Sequence, residues 1–286
     1  MKFSVFTCST PEWTAAEAAR NLADQGWDGV EWRVTDQADA TPPGFWAGNL
    51  ATWPATGLEG RLDEIASITG DAGLEFSGIG AYARCDDHAG VEKMLRATAA
   101  LGAGQVRVTM FRLELGDYRD LFDAARADLA WAVELASELS VKILIELHHE
   151  TIAASASSAL RLIDGFDPRH IGVIHDLGNL IIEGQEQYAS AFQLLGPYLA
   201  HVHVKNAVWV AGEPDADGIV PWHSEWAPLR TGQADVRAYV AALVAHGYDG
   251  WITLEDFSTV LPLEQRTRDN LAFIRDAYAR AVEAQG

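Results

Sequence analysis

The sequence predicts an α/β fold, a closed barrel of eight parallel β-strands surrounded by helices, formed by a single domain over residues 1–286. Short strand-like runs alternate with amphipathic helix-like stretches, which is the pattern of a parallel sheet. The alternation repeats eight times within 286 residues, which matches a closed barrel better than an open sheet. No low-complexity linker divides the chain, so one domain is expected.

The eight strand-like runs are short and rich in β-branched and aromatic residues. They cover residues 2–7, 29–34, 74–82, 105–110, 141–147, 171–176, 199–205 and 251–256. The stretches between them are rich in Ala, Leu, Glu and Arg. The first of these carries Thr14 and Glu17 at the spacing of a capping box and ends at Gly26. We therefore expect a helix after each strand.

Two connections are much longer than the others. Pro- and Trp-rich inserts follow the second strand at residues 35–57 and the seventh strand at residues 206–232. Barrel enzymes build their active sites on the loops after the strands, and long loops in compact domains are usually functional. The inserts are therefore expected to border the active site.

Side chains along a strand point alternately to its two faces, which separates the barrel interior from the helix layer. In the fifth strand, "VKILIELH", Ile143 and Ile145 share the face that suits contact with helices. Glu146 and His148 lie on the opposite face, at the carboxyl end of the strand. We therefore expect Glu146 at the mouth of the barrel rather than in apolar surroundings.

The same alternation places one metal-ligand type of side chain at the carboxyl end of each of the next three strands. These are Asp176, His203 and Glu255. Three carboxylates in one cleft repel one another, and their pKa values rise unless a cation compensates. Oxygen ligands with one imidazole suit Mn²⁺, Mg²⁺, Co²⁺ or Zn²⁺. The sequence therefore predicts one divalent metal ion, with Mn²⁺ as the first choice because no soft sulfur ligand is in reach.

Further polar and aromatic side chains are expected around this site. Arg33 and Arg107 are interpreted either as an anion-binding pair or as ion-pair partners of Glu31, since buried charges are usually paired. His149 is predicted to face away from the interior. Four tryptophans of the inserts offer flat faces to a sugar ring, or else anchor loops or contact another subunit. They are Trp46, Trp53, Trp222 and Trp226, of which Trp46 and Trp226 are predicted, with Arg107, to contact substrate.

Composition narrows the partners of the protein. The net charge is −20, and such an acidic surface repels phosphate backbones and anionic lipid, so nucleic acid and membranes are not expected as partners. The two cysteines, Cys8 and Cys85, form no C-x-x-C pair, which fits a reducing compartment. The N-terminus lacks the pattern of a signal peptide, and no apolar run is long enough to span a bilayer. A cytoplasmic location is therefore expected.

Five segments resemble the xylose-isomerase-like TIM-barrel superfamily of sugar phosphate isomerases and epimerases. They are "GWDGVEWRV", "ILIELHHET", "IGVIHDLGNLIIEG", "LAHVHVKNA" and "GYDGWITLEDF". The resemblance implies the same four metal ligands, Glu146, Asp176, His203 and Glu255, with Glu146 and Glu255 as the proton-transfer pair. It also implies that His148 touches substrate oxygens, that Glu31 and Lys205 add polar lining, and that the protein forms a homo-oligomer, a dimer or a tetramer.

These observations predict a divalent-metal-dependent isomerase or epimerase of a small sugar or sugar derivative, acting by proton transfer through an enediolate. A lyase or dehydratase of a keto-inositol or keto-glycoside on the same scaffold shares the first chemical step and remains an alternative. An abasic-site endonuclease needs more histidines and a basic face, which the net charge of −20 opposes. A non-catalytic sugar-binding barrel need not keep two glutamates around a metal.

Overall fold

A computed structural model describes the fold of the protein over residues 1–285. It has eleven strands, most of them parallel. They are β1 (Lys2–Phe6), β2 (Gly29–Val34), β3 (Thr52–Trp53), β4 (Glu75–Ala81), β5 (Gln105–Arg107), β6 (Lys142–Glu146), β7 (Ile171–Asp176), β8 (Leu199–Val204), β9 (Asn206–Ala211), β10 (Trp222–Ala227) and β11 (Trp251–Leu254).

Eight of the strands close into a barrel. The parallel order runs β1, β11, β8, β7, β6, β5, β4, β2, and β2 pairs again with β1. These are the eight strands predicted from the sequence, so the (β/α)₈ prediction is confirmed. Two of the observed strands, β2 and β7, have the predicted bounds, and the other six end one to three residues earlier than predicted. The run predicted over 105–110, for example, is regular strand only to Arg107.

Nine helices accompany the strands within residues 1–285. They are α1 (Ala15–Gln25), α2 (Leu62–Asp71), α3 (His88–Leu101), α4 (Tyr118–Glu138), α5 (Ala156–Ile163), α6 (Leu177–Glu183), α7 (Tyr188–Leu195), α8 (Val236–His246) and α9 (Leu263–Glu283). The predicted capping box of α1 is present: Thr14 accepts from the Glu17 backbone and Glu17 from the Thr14 backbone. In this same part of the chain, no helix has both the length and the hydropathy needed to cross a bilayer.

The strand alternation divides the core into two regions. Ile143 and Ile145 are fully buried in the large apolar core between strands and helices, whereas Leu144 is buried on the interior face that also carries Glu146. Phe6 fills the upper interior, where a Cβ on Gly80 would stand only 2.1 Å from its ring. Glycine at position 80 therefore allows the Phe6 ring to reach the centre of the barrel.

Both inserts are ordered, but only the first extends the barrel sheet. Strand β3 pairs in parallel with the end of β2, and the ring of Trp53 packs edge-on against Trp32 at 6.0 Å. The second insert forms an antiparallel hairpin of β9 and β10. The buried Asn206 side chain anchors this insert by donating to the Leu229 and Ala234 carbonyls at 3.0 Å. Both inserts leave the carboxyl end of the barrel, as expected from their positions after strands.

Candidate active site

Three carboxylates and one imidazole meet at the carboxyl end of the barrel. Each of Glu146, Asp176, His203 and Glu255 offers one ligand atom, and these atoms lie within 4.8 Å of one another. Nδ1 of His203 is 3.5 Å from Glu146, 3.7 Å from Asp176 and 3.6 Å from Glu255. The strand alternation thus brings together the four side chains that it assigned to the interior.

The two central residues of this cluster, Asp176 and His203, are held in place by short-range contacts. Asp176 ends β7 and caps α6, because its Oδ1 accepts from the Asn179 backbone N–H at 2.9 Å. The His203 ring stacks on Phe6 with ring centres 5.6 Å apart. Both side chains are fully buried, so their positions are fixed by packing as well as by hydrogen bonds.

Lys205 supplies a positive charge to the cluster. Its ammonium lies 2.6 Å from Asp176 and also contacts Glu255. A Cβ on Gly178 would stand 2.3 Å from the Lys205 side chain, so the glycine of "HDLGN" lets the lysine pass against α6. Burial raises the pKa of Asp176 well above its usual range, and Lys205 opposes this shift only in part. The ammonium therefore compensates for only part of the negative charge of the cluster.

Arg107 is buried beside Glu146 and donates to it at 2.7 Å. Burial tends to raise the pKa of Glu146, but Arg107, His203 and Lys205 together outweigh it, and the pKa lies well below its usual value. The Arg107 prediction had two interpretations, an anion site or a partner of Glu31. The observed carboxylate partner is Glu146 instead. Arg33 reaches neither acid and binds Gln37 and Thr52 at the base of the first insert.

Glu31 lies beneath the cluster and does not border the cavity that opens above it, which corrects the expectation from the resemblance. Its side chain is 1% exposed and lies below His203, accepting from His203 Nε2 at 3.0 Å and from His201 Nε2 at 2.9 Å. Burial would raise the pKa of Glu31, yet its contacts with the two imidazoles hold the pKa below its ordinary range. The physical reason for the correction is depth: Glu31 lies near the middle of β2, too deep to reach the cavity.

A cavity of about 610 Å³ opens above the cluster. It is bordered by Glu146, Glu255, Lys205, Arg107, His148 and Asn179 near the cluster, and by Trp46, Trp226, Phe257, Tyr82, Met110, Leu115 and Arg112 further out. Its volume lies in the range of small-molecule sites, and its lining combines apolar walls with convergent polar groups. The predicted residues His148, Lys205, Arg107, Trp46 and Trp226 all face this cavity.

Of the four insert tryptophans predicted to offer a face to a sugar ring, Trp46 and Trp226 reach the cavity. Trp46 and Trp226 both pack on Phe257, at 5.1 and 5.4 Å between ring centres. Trp53 is 6% exposed and belongs to the core under the first insert, and Trp222 is 61% exposed on the hairpin. Both lie outside the cavity lining, so the sugar-stacking interpretation does not apply to Trp53 or Trp222.

His149 differs from its prediction because the strand ends at Glu146. Beyond that residue the alternation of faces no longer applies, and His149 borders the cavity with its ring stacked on His148 at 4.4 Å. Burial is the main reason that the pKa of His149 falls to about 4. The imidazole is therefore neutral near pH 7.

The cavity is also bordered by three residues that were not predicted from the sequence, Asn179, Tyr82 and Phe257. Asn179 had a local signal, because it follows the helix-capping Asp176 by three residues in "HDLGN". Its amide donates to the Leu147 carbonyl at 3.1 Å. Its Oδ1 is buried and has no hydrogen-bond partner within residues 1–285. An amide oxygen accepts hydrogen bonds only, so this atom keeps an unused acceptor at the cluster.

The donor set fits a divalent cation. Ligand atoms about 2.1 Å from a shared ion stand about 3 to 4 Å apart, close to the separations measured around His203. Nδ1 of His203 is buried, points at the three carboxylates and has no hydrogen-bond partner in the described part of the chain. Three oxygen donors and one nitrogen donor would hold such an ion. Its chemistry would be that of a Lewis acid for a substrate oxygen.

The fold and the site define a class of protein: a parallel β/α barrel with a cluster of three carboxylates and one imidazole at its carboxyl end. A family model described as a xylose isomerase-like TIM barrel matches residues 19–277. The chain belongs to the xylose isomerase-like TIM barrel family, which confirms the resemblance seen in the sequence.

The individual relatives share only a small part of their sequence with this chain. Inosose dehydratase of Geobacillus thermodenitrificans is 25% identical over 130 residues, which span 43% of this chain and 42% of that enzyme. Among solved structures, L-ribulose 3-epimerase superposes with a TM-score of 0.73 at 18% identity, covering 99% of this chain and 96% of the other. The 3-keto-D-glucoside 4-epimerase of E. coli superposes with a TM-score of 0.70 at 18% identity, covering 96% and 99%. At these identities the superpositions show the fold.

Proposed function

We propose that the protein is a divalent-metal-dependent isomerase or epimerase of a small sugar or sugar derivative. The observation that carries the proposal is the meeting of Glu146, Asp176, His203 and Glu255 within 4.8 Å beneath an open cavity. We propose Mn²⁺ as the resident ion, because hard oxygen donors with one imidazole suit it, with Mg²⁺, Co²⁺ and Zn²⁺ as competitors.

The chemistry assigned to the protein is proton transfer beside a carbonyl. When bound, the cation would polarise the substrate oxygen and favour the enediolate. Glu146 ends β6 and Glu255 follows β11, with β7 and β8 between these strands in the sheet. The two carboxylates therefore flank the cluster from different sides. One would remove a proton and the other return it, either to the opposite face of the same carbon or to its neighbour.

The remaining cavity groups would orient the sugar. Arg107 is buried, and its Nη2 has no hydrogen-bond partner among residues 1–285, so this nitrogen is free to donate to a hydroxyl. His148 and the Asn179 amide oxygen border the same space. The ring of Phe257 and its neighbours would cover the C–H face of the sugar and exclude water.

A dehydratase is the second candidate, favoured by the partial match to inosose dehydratase. Its first step would be the same proton abstraction, followed by expulsion of a leaving group. Incubation with ketoses and keto-inositols separates the two functions. An epimerase yields a product of unchanged mass, whereas a dehydratase releases water and forms a product that absorbs in the ultraviolet.

The proposal is tested by Glu146→Gln and Glu255→Gln. Each variant should lower kcat by about 10²- to 10⁴-fold, because a positioned base is lost. Glu75→Gln is the matched control, since Glu75 pairs with Lys2 at the opposite end of the barrel. Chelation should abolish wild-type turnover and Mn²⁺ should restore it. Wild-type turnover by either active-site variant would contradict the proposal.

A further inference from the structure

The cavity is larger than one sugar ring. Its volume of about 610 Å³ equals that of about 20 water molecules at about 30 Å³ each. A hexose has about a dozen non-hydrogen atoms, so it displaces fewer than these roughly 20 water molecules. A monosaccharide bound at the four-residue cluster therefore leaves a substantial outer part of the cavity unfilled.

The outer part has apolar walls on two sides. Trp46 lies on one side beside Phe257 and is 53% exposed. Leu115, 50% exposed, and Met110 follow β5 on the other side. In the barrel order β5 lies opposite β11, the strand that Phe257 follows, and both sets of side chains border the same cavity. Such exposed apolar surface within a cavity suits an apolar ring of a ligand.

The charges of the cavity do not favour a phosphate. Each arginine and lysine of the lining already has a carboxylate partner. Arg84 pairs with Asp86 at 2.7 Å, and Arg107 pairs with Glu146 at 2.7 Å. Arg112 pairs with Glu150 and, at 3.3 Å, with Glu114. Lys205 pairs with Asp176 at 2.6 Å and with Glu255. A phosphate in the cavity would meet the repulsion of these carboxylates and would compete with them for the four cationic side chains.

We infer that the substrate is an uncharged keto-sugar that carries a second, ring-sized apolar group, as in an aryl glycoside, rather than a free or phosphorylated monosaccharide. The inference rests on the proposed function and specifies its substrate class. The sugar would occupy the inner cavity, and the second group would lie between Trp46 and Leu115. A glycoside lacks an open-chain carbonyl, so the acidifying carbonyl must lie within the sugar ring.

The test uses four related probes: 3-ketoglucose, its methyl glycoside, its 4-nitrophenyl glycoside and its 6-phosphate. Each is titrated calorimetrically into the wild type in EDTA, where turnover is abolished, and is assayed for turnover with the Mn²⁺-loaded wild type. We expect the 4-nitrophenyl glycoside to bind at least tenfold more tightly than the methyl glycoside, and the 6-phosphate to bind most weakly. Trp46→Ala should reduce the aryl preference about threefold to tenfold, whereas Trp222→Ala, outside the cavity, should keep it.

The two proposals fail in different ways. Tightest binding of the free sugar or its phosphate, or an aryl preference that survives Trp46→Ala, would overturn the inference about substrate class whatever the turnover. If the aryl glycoside binds selectively but the wild type converts none of the four probes, the proposed reaction is overturned and the inferred substrate class remains supported.

A second inference concerns Glu31 and rests on a different set of contacts. The Gln105 amide nitrogen donates to the Ser77 carbonyl at 2.6 Å and reaches His201 Nδ1 at 3.0 Å. An amide nitrogen only donates, so His201 Nδ1 accepts and its proton lies on Nε2, facing Glu31. One oxygen of the Glu31 carboxylate accepts hydrogen bonds from both His201 Nε2 and His203 Nε2.

We infer that Glu31 is a positioning residue that fixes the His203 ring for cation binding. A carboxylate only accepts, so it holds the proton of neutral His203 on Nε2 and leaves the Nδ1 lone pair facing the three carboxylates. Phe6 supports the same ring orientation by stacking. Glu31 would thus act through His203 without touching substrate.

Direct Mn²⁺ titration followed by electron paramagnetic resonance tests this role without measuring activity. Glu31→Gln removes the negative charge and should weaken Mn²⁺ binding about 10- to 100-fold, while Glu75→Gln should match the wild type. In the wild type, ¹⁵N–¹H correlation spectra of histidine rings with Mg²⁺ bound should show the His203 proton on Nε2. A proton on Nδ1, or unchanged Mn²⁺ affinity in folded Glu31→Gln, would overturn the inference.

Discussion

Individual residues of the site illustrate both the reach and the limit of strand alternation. Alternation predicts that Glu146 and His203 face the interior, and both do. It does not say how deep a residue lies or which neighbour it meets, so it cannot reveal that Glu31 lies beneath His203 or that Arg107 pairs with Glu146. The alternation rule fails for His149, because this residue lies three positions beyond the end of its strand at Glu146.

The Arg107–Glu146 pair yields a prediction at the scale of residues. Both side chains are buried, so Arg107→Ala leaves the Glu146 charge without its partner. We expect the free energy of unfolding, measured by urea denaturation in EDTA, to fall by about 3–5 kcal/mol. The exposed pair of Arg84 with Asp86 is the control, and Arg84→Ala should cost at most about 1 kcal/mol. Equal losses in the two variants would show that burial of the pair is not decisive.

At the scale of elements, the regular strands were predictable and the inserts were not. Apolar runs bounded by turn residues identify each barrel strand, because all eight face a packed core on the helix side. Strand β3 has only two residues and no periodicity to reveal it. Its place in the sheet depends on pairing with β2 and on the contact of Trp53 with Trp32, which are set by tertiary structure.

The two tryptophans Trp53 and Trp222 provide a matched test of the insert description. Trp53→Ala removes a large side chain that is 6% exposed, and we expect the free energy of unfolding to fall by about 3–5 kcal/mol. Trp222→Ala removes one that is 61% exposed and should change it by less than about 0.5 kcal/mol. Denaturant melts of both variants check this. A Trp53→Ala protein as stable as wild type would contradict the placement of the first insert.

At the scale of the whole molecule, the barrel concentrates negative charge at one buried place while the chain as a whole carries −20. The closed order of parallel strands brings β6, β7, β8 and β11 side by side, so their carboxyl ends share one mouth. The sequence predicted this closure from eight repeated units. The size of the cavity was not predictable, because it depends on how both inserts fold over the mouth.

Cation binding should stabilise the whole molecule. A ligand that binds only the folded state at 100 times its Kd adds about 2.7 kcal/mol, so calorimetry should show the Tm of the wild type rise with Mn²⁺ by about 5–10 °C. Asp176→Asn removes one charged donor from the cluster and should lose most of this rise. A rise of the same size in Asp176→Asn would place the stabilising ion elsewhere on the acidic surface.

The most direct test of the central claim is anomalous diffraction from crystals grown with Mn²⁺. The account predicts one strong anomalous peak bounded by Glu146, Asp176, His203 and Glu255, with ligand atoms at about 2.0–2.3 Å. Strong peaks elsewhere on the chain, with none among these four side chains at saturating Mn²⁺, would contradict the proposed centre and the chemistry built on it.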